Sequence, residues 1–404
     1  MEKSRKPKIR FKGYNDDWEQ RELNELALFN PKDELPQTFE YVDLEAVVGT
    51  EMLSHRTETR SSAPSRAQRL ARAGDLFYQT VRPYQKNNYL FKKHDNNYVF
   101  STGYAQMRPY VDGYFLLSLV QSDCFVKVVL DNCTGTSYPA INANDLAEIE
   151  VVSPLDENET QKIGAIFHSI DSLITLHQRK LDKLINVKKS MLEKMFPKQG
   201  STVPEVRFSG FTEDWEQRKV TELGMIYIGL VTTMTSHYTN DGILLIRNSD
   251  IKDGRFEFGD NQIFLERSFA KANESRMHQL GDVITVHTGD VGTSAVITKN
   301  EVKSIGFATI VTRPNRAIIN PYYLCTFLNT EKHKKWAVAI STGDGRTNYN
   351  LGDYLELIIP VPSINEQKEI ALFIEKINTL ITLHQRKLEK LKNIKKSMLE
   401  KMFI

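Results

Sequence analysis

The chain contains the same helix-like segment twice. Residues 173–196 read LITLHQRKLDKLINVKKSMLEKMF and residues 380–403 read LITLHQRKLEKLKNIKKSMLEKMF, so that only three of the 24 positions differ. Internal repeats of this kind restrict the possible folds more strongly than local propensity does. We therefore interpret each half of the 404-residue chain as one structural unit that ends in a long helix.

A shorter repeat precedes each helix at a distance. Residues 9–23 read IRFKGYNDDWEQREL and residues 206–220 read VRFSGFTEDWEQRKV; we call them the lead segments. The sequences between each lead segment and its helix have diverged almost completely, which predicts two globular domains with different surfaces on one scaffold. The predicted boundaries are 1–153 for the first domain with its lead segment, 154–200 for the first helix, 201–359 for the second domain with its lead segment, and 360–404 for the second helix.

The composition is that of an ordinary globular protein, with 40% hydrophobic and 26% charged residues. The net charge is only +2, so any nucleic-acid surface must come from local charge. Cys124, Cys133 and Cys325 show no paired spacing and indicate neither a disulfide framework nor a zinc site. Because no apolar run is long enough for a bilayer span, we expect a cytoplasmic protein.

Apolar residues in both repeated helices recur at alternating steps of three and four, as in a coiled coil. An ordinary buried helix face is the alternative, but two nearly identical stripes favour pairing of the helices with each other. His177 and His384 are interpreted as half-buried members of this seam without a metal. The seam consists of Ile170, Ile174, His177, Leu181, Leu184, Lys188, Met191 and Met195 in the first helix, and of Ile377, Ile381, His384, Leu388, Leu391, Lys395, Met398 and Met402 in the second.

The short linker between the halves indicates the direction of the pair. Residues 197–204 reach at most about 27 Å, whereas a helix of 38 residues is about 57 Å long. The second domain must therefore begin near the end of the first helix, which favours an antiparallel pair with pseudo-twofold symmetry. We expect the first lead segment to lie near Phe403, as its twin lies near Phe196.

Local patterns within the first domain are typical of mixed secondary structure. Residues 41–48 and 124–130 alternate like strands, and residues 114–121 resemble a helix. The predicted fold class is thus α+β: two globular domains separated by two long helices that form an antiparallel coiled coil.

The first domain carries a basic segment. Residues 54–93 contain nine arginines and lysines against Glu58 and Asp75, a local net charge of +7. A solvated surface is the alternative interpretation, but interleaved amides favour DNA, because basic side chains neutralise phosphates and arginine or asparagine can read base edges. The candidate DNA-binding residues are Arg56, Arg60, Arg66, Arg69, Arg82, Lys86, Asn87 and Asn88.

The second domain is less basic and has polar loops of the kind that read base edges, although any surface loop can look similar. Its candidate DNA-binding residues are Arg247, Asn248, His287, Thr288, Arg346 and Asn348.

One tetrapeptide, Asn320-Pro321-Tyr322-Tyr323, invites comparison with the Asn/Asp-Pro-Pro-Tyr/Phe motif of adenine methyltransferases. Its third position does not match, and no glycine-rich loop for S-adenosylmethionine precedes it. The counterpart in the first half contains Asp112-Gly113, so we interpret Asn320 and Asp112 as helix N-caps, with Pro321 at the first helical position. No other catalytic or metal motif is evident, and we expect a non-catalytic chain.

Several leucines lie off the coiled-coil seam, and a helix with more than one apolar stripe usually has more than one packing partner. Either the globular domains or other subunits could supply that partner. These candidate partner-binding residues are Leu173, Leu176, Leu192, Leu380, Leu383 and Leu399.

The whole layout resembles the specificity subunit of type I restriction-modification enzymes. The resemblance rests on the shared DWEQR of the lead segments, on two divergent recognition-sized domains, and on helices that open with Asn158-Glu159 and Asn365-Glu366-Gln367. Thr160 stands where the second copy and the family pattern have Gln367.

The resemblance implies two target-recognition domains that read a bipartite, asymmetric DNA site with an unread spacer. It also implies two modification subunits that methylate adenine N6 with S-adenosylmethionine, and two restriction subunits that use ATP and Mg²⁺ to translocate and cut DNA. No cofactor would be bound by this chain. The alternatives are a stand-alone, pseudo-dimeric DNA-binding regulator and an enzyme with a degenerate methyltransferase site at Asn320.

Overall fold

The structure, a computed structural model, describes residues 6–135, 137–198, 200–260, 262–341 and 347–404. Its internal contacts divide the chain into two compact units. Unit 1 comprises the residues up to Arg179 together with Gln385–Ile404, and unit 2 comprises Lys180–His384. Each long helix therefore contributes one part to unit 1 and the other part to unit 2.

In its described residues, unit 1 combines short strands with three helices of its own and with parts of both long helices. Two single-turn 3-10 helices, Leu23–Glu25 and Pro83–Gln85, lie between its strands. In chain order its elements are β1 Glu19–Glu22, β2 Ala27–Phe29, β3 Thr38–Val42, β4 Val47–Val48, β5 Glu51–Met52, β6 Arg56–Thr59, β7 Ala67–Leu70, β8 Leu76–Gln79, β9 Tyr89–Leu90, β10 Tyr98–Ser101, β11 Tyr104–Pro109, α1 Gly113–Gln121, α2 Asp123–Asp131, α3 Ala143–Ala147, β12 Glu150–Ser153 and the long helix α4 Glu157–Lys194.

Unit 2 has a similar order of elements, with a longer stretch of chain between its lead-segment strand and its long helix. Its elements are β13 Glu216–Lys219, β14 Gly224–Ile228, β15 Tyr238–Thr239, β16 Ile243–Ile246, β17 Ile251–Lys252, β18 Arg255–Phe256, β19 Phe264–Leu265, α5 Arg267–Ala272, β20 Val283–Thr285, β21 Ser294–Val296, β22 Ile305–Gly306, β23 Ile310–Pro314, α6 Pro321–Leu328, α7 Glu331–Ile340, α8 Leu351–Leu355, β24 Ile358–Val361 and the long helix α9 Ile364–Met402, with 3-10 turns at Val220–Glu222, Thr235–His237, Asn248–Asp250 and Glu274–Arg276.

The strands of the two units pair in closely similar ways. Among the described residues, unit 1 has four-stranded sheets with the orders β6-β3-β10-β7 and β2-β11-β8-β9, and unit 2 has β14-β23-β20-β21 and β15-β19-β16-β22. In each unit the lead-segment strand pairs antiparallel with the strand before a long helix, β1 with β12 and β13 with β24. A two-stranded hairpin also occurs in each, β4-β5 and β17-β18.

The two long helices have the predicted seam. Every seam residue is buried or half-buried, including His177 and His384. In unit 1, the ring of Phe167 in α4 lies 5.9 Å from that of Phe403, and Asp171 further along α4 contacts Lys395 of α9 at 2.7 Å. Rising numbers in α4 thus face falling numbers in α9, which shows that the helix segments of unit 1 are antiparallel.

The phenylalanine at the end of each repeated segment packs into the apolar core of one unit, Phe403 in unit 1 and Phe196 in unit 2. Phe403 packs against Trp18 of the first lead segment at a ring distance of 6.4 Å, and Phe196 packs against Trp215 of the second at 6.1 Å. The backbone repeats this contact, because Ile9 N–H donates to Lys401 O and Val206 N–H to Lys194 O, both at 3.0 Å. The predicted position of both lead segments is confirmed.

A buried ion pair fastens each lead segment to the start of a long helix. Arg10 donates to both carboxylate oxygens of Glu159 at 2.7 and 2.8 Å, and Arg207 donates to those of Glu366 at the same distances. Both glutamate side chains are only 1% exposed. Such bidentate, charge-assisted hydrogen bonds are strong and also fix the relative orientation of the two side chains. The same ion pair therefore holds the lead segment against the long helix in both units.

A second buried ion pair is also repeated in the two units. Asp75 accepts from the N–H of Arg72 and from the guanidinium of Arg108, and its counterpart Asp282 accepts likewise from Gln279 and Arg313. Both aspartates are 1% exposed and lie just before β8 and β20. The pairs therefore fix the start of equivalent strands in the two units.

Two strand predictions are wrong. Residues 124–130 form helix α2 instead of a strand: Ser122 caps its start, and Phe125, Val126 and Val129 are buried at helical spacing. Tertiary packing here overrides the strand propensity of a valine-rich run. Residues 41–48 are not one strand either, because a turn closed by Ala46 N–H and Asp43 O at 3.2 Å separates β3 from β4.

The predicted helix caps are confirmed. Asp112 accepts from the N–H groups of Tyr114 and Phe115 at the start of α1. Asn320 does the same for Tyr322 and Tyr323 at the start of α6, with Pro321 in its first turn. The Asn-Pro-Tyr-Tyr sequence is thus explained by capping.

The fold class is also confirmed: mixed helix and sheet, with two sheet-rich units that share two long helices. Among the described residues no single helix is long and apolar enough to cross a membrane. The helices α1 and α2, which are bent by 65° relative to each other, would together be long and apolar enough, by length and composition only.

Candidate nucleic-acid interface

In each unit, the loop after one strand is joined by backbone hydrogen bonds to a second loop, and we call the two joined loops a loop pair. The loop pair consists of residues 80–88 and 139–141 in unit 1, and of residues 286–293 and 347–349 in unit 2. In unit 1 the loop after β8 is joined to residues 139–141: Arg82 N–H donates to Pro139 O at 2.7 Å, and Ile141 N–H donates to Thr80 O at 3.0 Å. Val81 and Ala140 form the antiparallel bridge between them. The first loop is thereby held in place at its backbone, and its side chains are left to vary.

Unit 2 makes the same backbone bonds with different side chains. Gly289 N–H donates to Thr347 O at 3.3 Å, Tyr349 N–H donates to His287 O at 2.8 Å, and Thr288 bridges Asn348. The adjacent candidates His287 and Thr288 therefore lie beside Asn348, which is 60 residues away in sequence. Arg82 lies in the equivalent loop of unit 1.

Arg82 and Gly289 occupy the same position in the two loop pairs, and both have positive φ, 56° and 103°. The left-handed conformation costs a residue with a side chain about 1–2 kcal/mol, whereas glycine adopts it freely. Unit 1 therefore retains an arginine where glycine would fit without strain. Strain of this kind is typical of functional positions.

The Arg82 side chain lies over the exposed ring of Tyr138, with its guanidinium carbon 4.4 Å from the ring centre. Lys86, the second left-handed residue of this turn at φ 56°, donates to Gln121 O at 2.9 Å and pairs with Asp123 at the start of α2. The turn thus presents a stacked, half-buried arginine and the exposed ring of Tyr84, while its lysine is held against the domain.

The other arginines of the basic segment lie on or beside the β6-β3-β10-β7 sheet. Arg56 on β6 pairs with Asp43 and Glu58, which raises its pKa, and Arg60 lies 3.7 Å from Glu34. Arg66 is exposed and has no ion pair among the described residues, whereas Arg69 on β7 is half-buried and burial lowers its pKa. The local charge of +7 is therefore partly balanced by acids from outside the segment.

Two amides of the first domain have internal roles. Asn87 accepts from Gly49 N–H at 2.8 Å and so joins the loop pair to the β4-β5 hairpin. Asn88 is 1% exposed and accepts from Gln79 N–H at 2.9 Å. The structure places Asn88 in the interior, so it can position the turn but cannot reach DNA from there, which corrects its sequence-based assignment.

Arg247 and Asn248 also make internal contacts in unit 2. Arg247 donates from both Nε and Nη2 to Asp250, which is buried and raises the arginine pKa. Asn248 accepts from His287 N–H at 2.8 Å and donates to Phe307 O and Ala308 O. These two residues hold the loop pair in position, a role that the sequence did not indicate.

His287, Thr288 and Asn348 form a hydrogen-bonded chain. The Thr288 hydroxyl donates to Asn348 Oδ1 at 3.0 Å and lies 2.8 Å from His287 Nδ1. Because that hydroxyl donates onward, His287 Nδ1 carries the proton toward it, and Nε2 of the neutral ring is an acceptor. Burial lowers the His287 pKa and so favours the neutral ring. Arg346 lies outside the described residues.

The off-seam leucines are exposed at matching places in both helices. Leu173 and Leu176 are 44% and 46% exposed, and their counterparts Leu380 and Leu383 are both 44% exposed. Leu192 and Leu399 differ from these, because they are half-buried against the cores of units 2 and 1. The leucines at spacing i, i+3 thus form one repeated apolar surface on each helix, which the described residues of this chain leave partly exposed.

Comparison with known proteins agrees with this geometry. Residues 212–393 match the family model of the type I restriction modification DNA specificity domain. The chain is 23% identical to the type I restriction enzyme MjaVIII specificity subunit of Methanocaldococcus jannaschii, over 71% of this chain and 68% of that protein. It is 28% identical to the type I restriction enzyme EcoBI specificity subunit of Escherichia coli, over 34% of this chain and 29% of that protein.

Solved structures share the fold. The S subunit of a type I restriction-modification system from M. genitalium superposes with a TM-score of 0.61 at 15% identity and 99% coverage of both chains. A chain from a structural study of complex assembly and conformational transition of a type I restriction-modification system superposes with a TM-score of 0.53 at 22% identity, over 95% of this chain and 97% of that one. The second half of the chain thus matches the DNA specificity domain of type I restriction-modification enzymes, and the whole duplicated scaffold is similar to their specificity subunits.

Proposed function

We propose that this chain selects the DNA site for a type I restriction-modification complex by reading two different half-sites separated by an unread spacer. The observation that carries this proposal is the loop pair: the same backbone bonds hold Thr80, Val81 and Arg82 in unit 1 and His287, Thr288 and Gly289 in unit 2. A common scaffold with different side chains at the equivalent place is what an asymmetric, bipartite site requires.

The chemistry in this proposal belongs to partner subunits, and the chain itself is not catalytic. Two modification subunits methylate adenine N6 with S-adenosylmethionine, and two restriction subunits use ATP and Mg²⁺ to translocate and cut DNA. The complex acts on DNA in the cytoplasm. The exposed pairs Leu173/Leu176 and Leu380/Leu383 support two equivalent binding sites, one for each modification subunit.

In the first domain, the proposed DNA contacts are Arg82 with the exposed residues Arg56, Arg60 and Arg66. Lys86 and Arg69 are partly withdrawn, and Asn87 supports the turn. In the second domain, His287 Nε2 can accept from an exocyclic base amine, and the Asn348 amide has the donor and acceptor geometry for a base edge. Arg247 and Asn248 would hold the loop that carries His287 in position.

Replacing Arg82 with glycine should weaken DNA binding without unfolding the domain. The substitution removes left-handed strain but adds glycine entropy and loses the Tyr138 contact, so the free energy of unfolding should stay within about 1 kcal/mol. Specific binding should weaken by about 1–3 kcal/mol if Arg82 reads a base, or the salt slope should fall by about one if it contacts phosphate. Binding titrations at several salt concentrations measure both.

Arg82→Lys distinguishes base recognition from phosphate contact, because lysine keeps the charge but cannot make bidentate hydrogen bonds to a base. Arg21→Ala in the lead segment is the control for loss of one positive charge away from the loop pair. Unchanged affinity and salt slope for Arg82→Gly would remove Arg82 from the interface.

Exchanging residues 24–150 for the recognition domain of another specificity subunit should change one half-site and leave the other and the spacer intact. The reason is that each loop pair is anchored within its own unit. Mapping methylated adenines in DNA from cells that contain the chimera and the modification subunits reads both half-sites at once. A change in both half-sites, or in neither, contradicts modular recognition.

A further inference from the structure

The repeated helices carry one seam lysine each, and the two lysines pair with different parts of the protein. In unit 1, Lys395 Nζ lies 2.7 Å from Asp171 Oδ1, so this pair joins one long helix to the other. In unit 2, the counterpart Lys188 lies 2.6 Å from Asp253 of the β17-β18 hairpin. The residue equivalent to Asp171 in the second helix is Asn378, which cannot supply the charge.

Asp253 lies at a turn that is fixed to its own domain. Gly254 follows it with φ +77°, and the Gly254 N–H donates to Ser294 O of β21 at 3.0 Å. A Cβ at Gly254 would lie 3.6 Å from the Asn378 amide nitrogen. The tip of the hairpin therefore meets α4 through Lys188 and α9 through Asn378, both within unit 2.

The first domain meets the helices through the corresponding hairpin, but by a weaker contact. Thr175 of α4 donates to Glu51 at 3.3 Å, and both groups are accessible to solvent. In contrast, the pair between Lys188 and Asp253 is partly buried, with side chains 15% and 39% exposed, so it is less screened by solvent and salt than a fully exposed contact. The charge that neutralises the seam lysine comes from a helix in unit 1 and from the recognition domain in unit 2.

We propose that Asp253 is a positioning residue that fixes the second recognition domain on the long helices, and that the two recognition domains are consequently not interchangeable between the two units. A first domain placed in the second position would remove the Asp253 carboxylate from Lys188, and its own hairpin carries Glu51, which contacts Thr175 and forms no ion pair with the seam lysine in the described part of unit 1. A second domain placed in the first position would bring a second carboxylate to Lys395, which already pairs with Asp171.

The test uses Asp253→Asn in the full chain, alone and with its modification subunits. Without DNA, hydrogen exchange at the hairpin amides of residues 252–256 should become roughly fivefold faster, the factor for a pair worth about 1 kcal/mol. In the complex, methylated adenines should appear at sites whose spacer is one base pair longer or shorter than the wild-type spacer. The second readout rests on the proposed function, whereas the first does not.

Asp253→Asn combined with Asn378→Asp distinguishes positioning from simple neutralisation. The double variant gives Lys188 a helix carboxylate, as in unit 1, so thermal stability should recover. Hairpin exchange and relaxed spacer choice should persist, because the new ion pair joins the two long helices and does not replace the ion pair between Lys188 and the hairpin. Asp171→Asn is the matched control: it should lower stability and leave exchange in the β4-β5 hairpin unchanged.

Unchanged hairpin exchange in Asp253→Asn, or hairpin protection restored by Asn378→Asp, would overturn the proposal. A wild-type methylation map without a two-part motif would instead contradict the proposed function, and the exchange result would still decide the role of Asp253.

Discussion

Replacing Leu173 and Leu380 together with glutamate should abolish assembly with the modification subunit while the chain stays folded. Both side chains are 44% exposed, so a charge there costs the free chain little. In a dry interface, each change loses an apolar contact and buries a charge, which should cost at least about 3 kcal/mol, more than a hundredfold in affinity for each site. Native mass spectrometry of the co-purified complex measures the outcome.

Each single variant is informative because the two sites are repeats. Leu173→Glu alone and Leu380→Glu alone should each bind one modification subunit instead of two. The double variant Ser172→Glu and Thr379→Glu adds the same charge at neighbouring exposed positions and controls for charge alone. A complete complex from the Leu173/Leu380 double variant would favour a stand-alone DNA-binding regulator.

Arg10→Met should destabilise unit 1 by about 3–5 kcal/mol, and Arg207→Met should do the same to unit 2. Each change leaves a glutamate that is 1% exposed without its counter-charge, the most expensive way to break a buried pair. Hydrogen exchange resolved by unit, together with urea unfolding, should locate each defect in the unit that lost its arginine.

The double variant Arg10→Met with Glu159→Gln should recover much of this loss, because no uncompensated charge remains buried. Arg21→Met provides the matched control, since Arg21 lies 3.6 Å from Glu25 with both side chains partly exposed, and such pairs contribute less than about 1 kcal/mol. A loss of similar size in Arg21→Met would show that burial is not the cause.

Features that repeat within the chain could be predicted from the sequence. The seam follows from the spacing of apolar residues in two nearly identical helices, and the caps at Asp112 and Asn320 follow from their position before apolar runs. The sequence places His287-Thr288 and Asn348 in separate polar loops, and the backbone bonds of the loop pair bring them together.

Contacts over long sequence distances could not be predicted from local patterns. Arg10 and Glu159 are 149 residues apart, and no local pattern relates them. The signal was nevertheless in the repeat, because both halves keep an arginine in the lead segment and a glutamate at the helix start through otherwise extensive divergence. The net charge of the basic segment could not be predicted for a related reason: Asp43, Glu34 and Asp123 are outside it in sequence but pair with Arg56, Arg60 and Lys86 in the fold.

The discontinuous core of unit 1 has a consequence for synthesis on the ribosome. Met402 and Phe403 belong to the same apolar core as Trp18 and Phe115, but roughly 200 residues of unit 2 are translated before them, which takes about 10–40 s at about 5–20 residues per second. Unit 2 is continuous in sequence and is therefore complete before the helix end that closes unit 1 has been made. The half of the protein that is translated first is thus the last to obtain its full core.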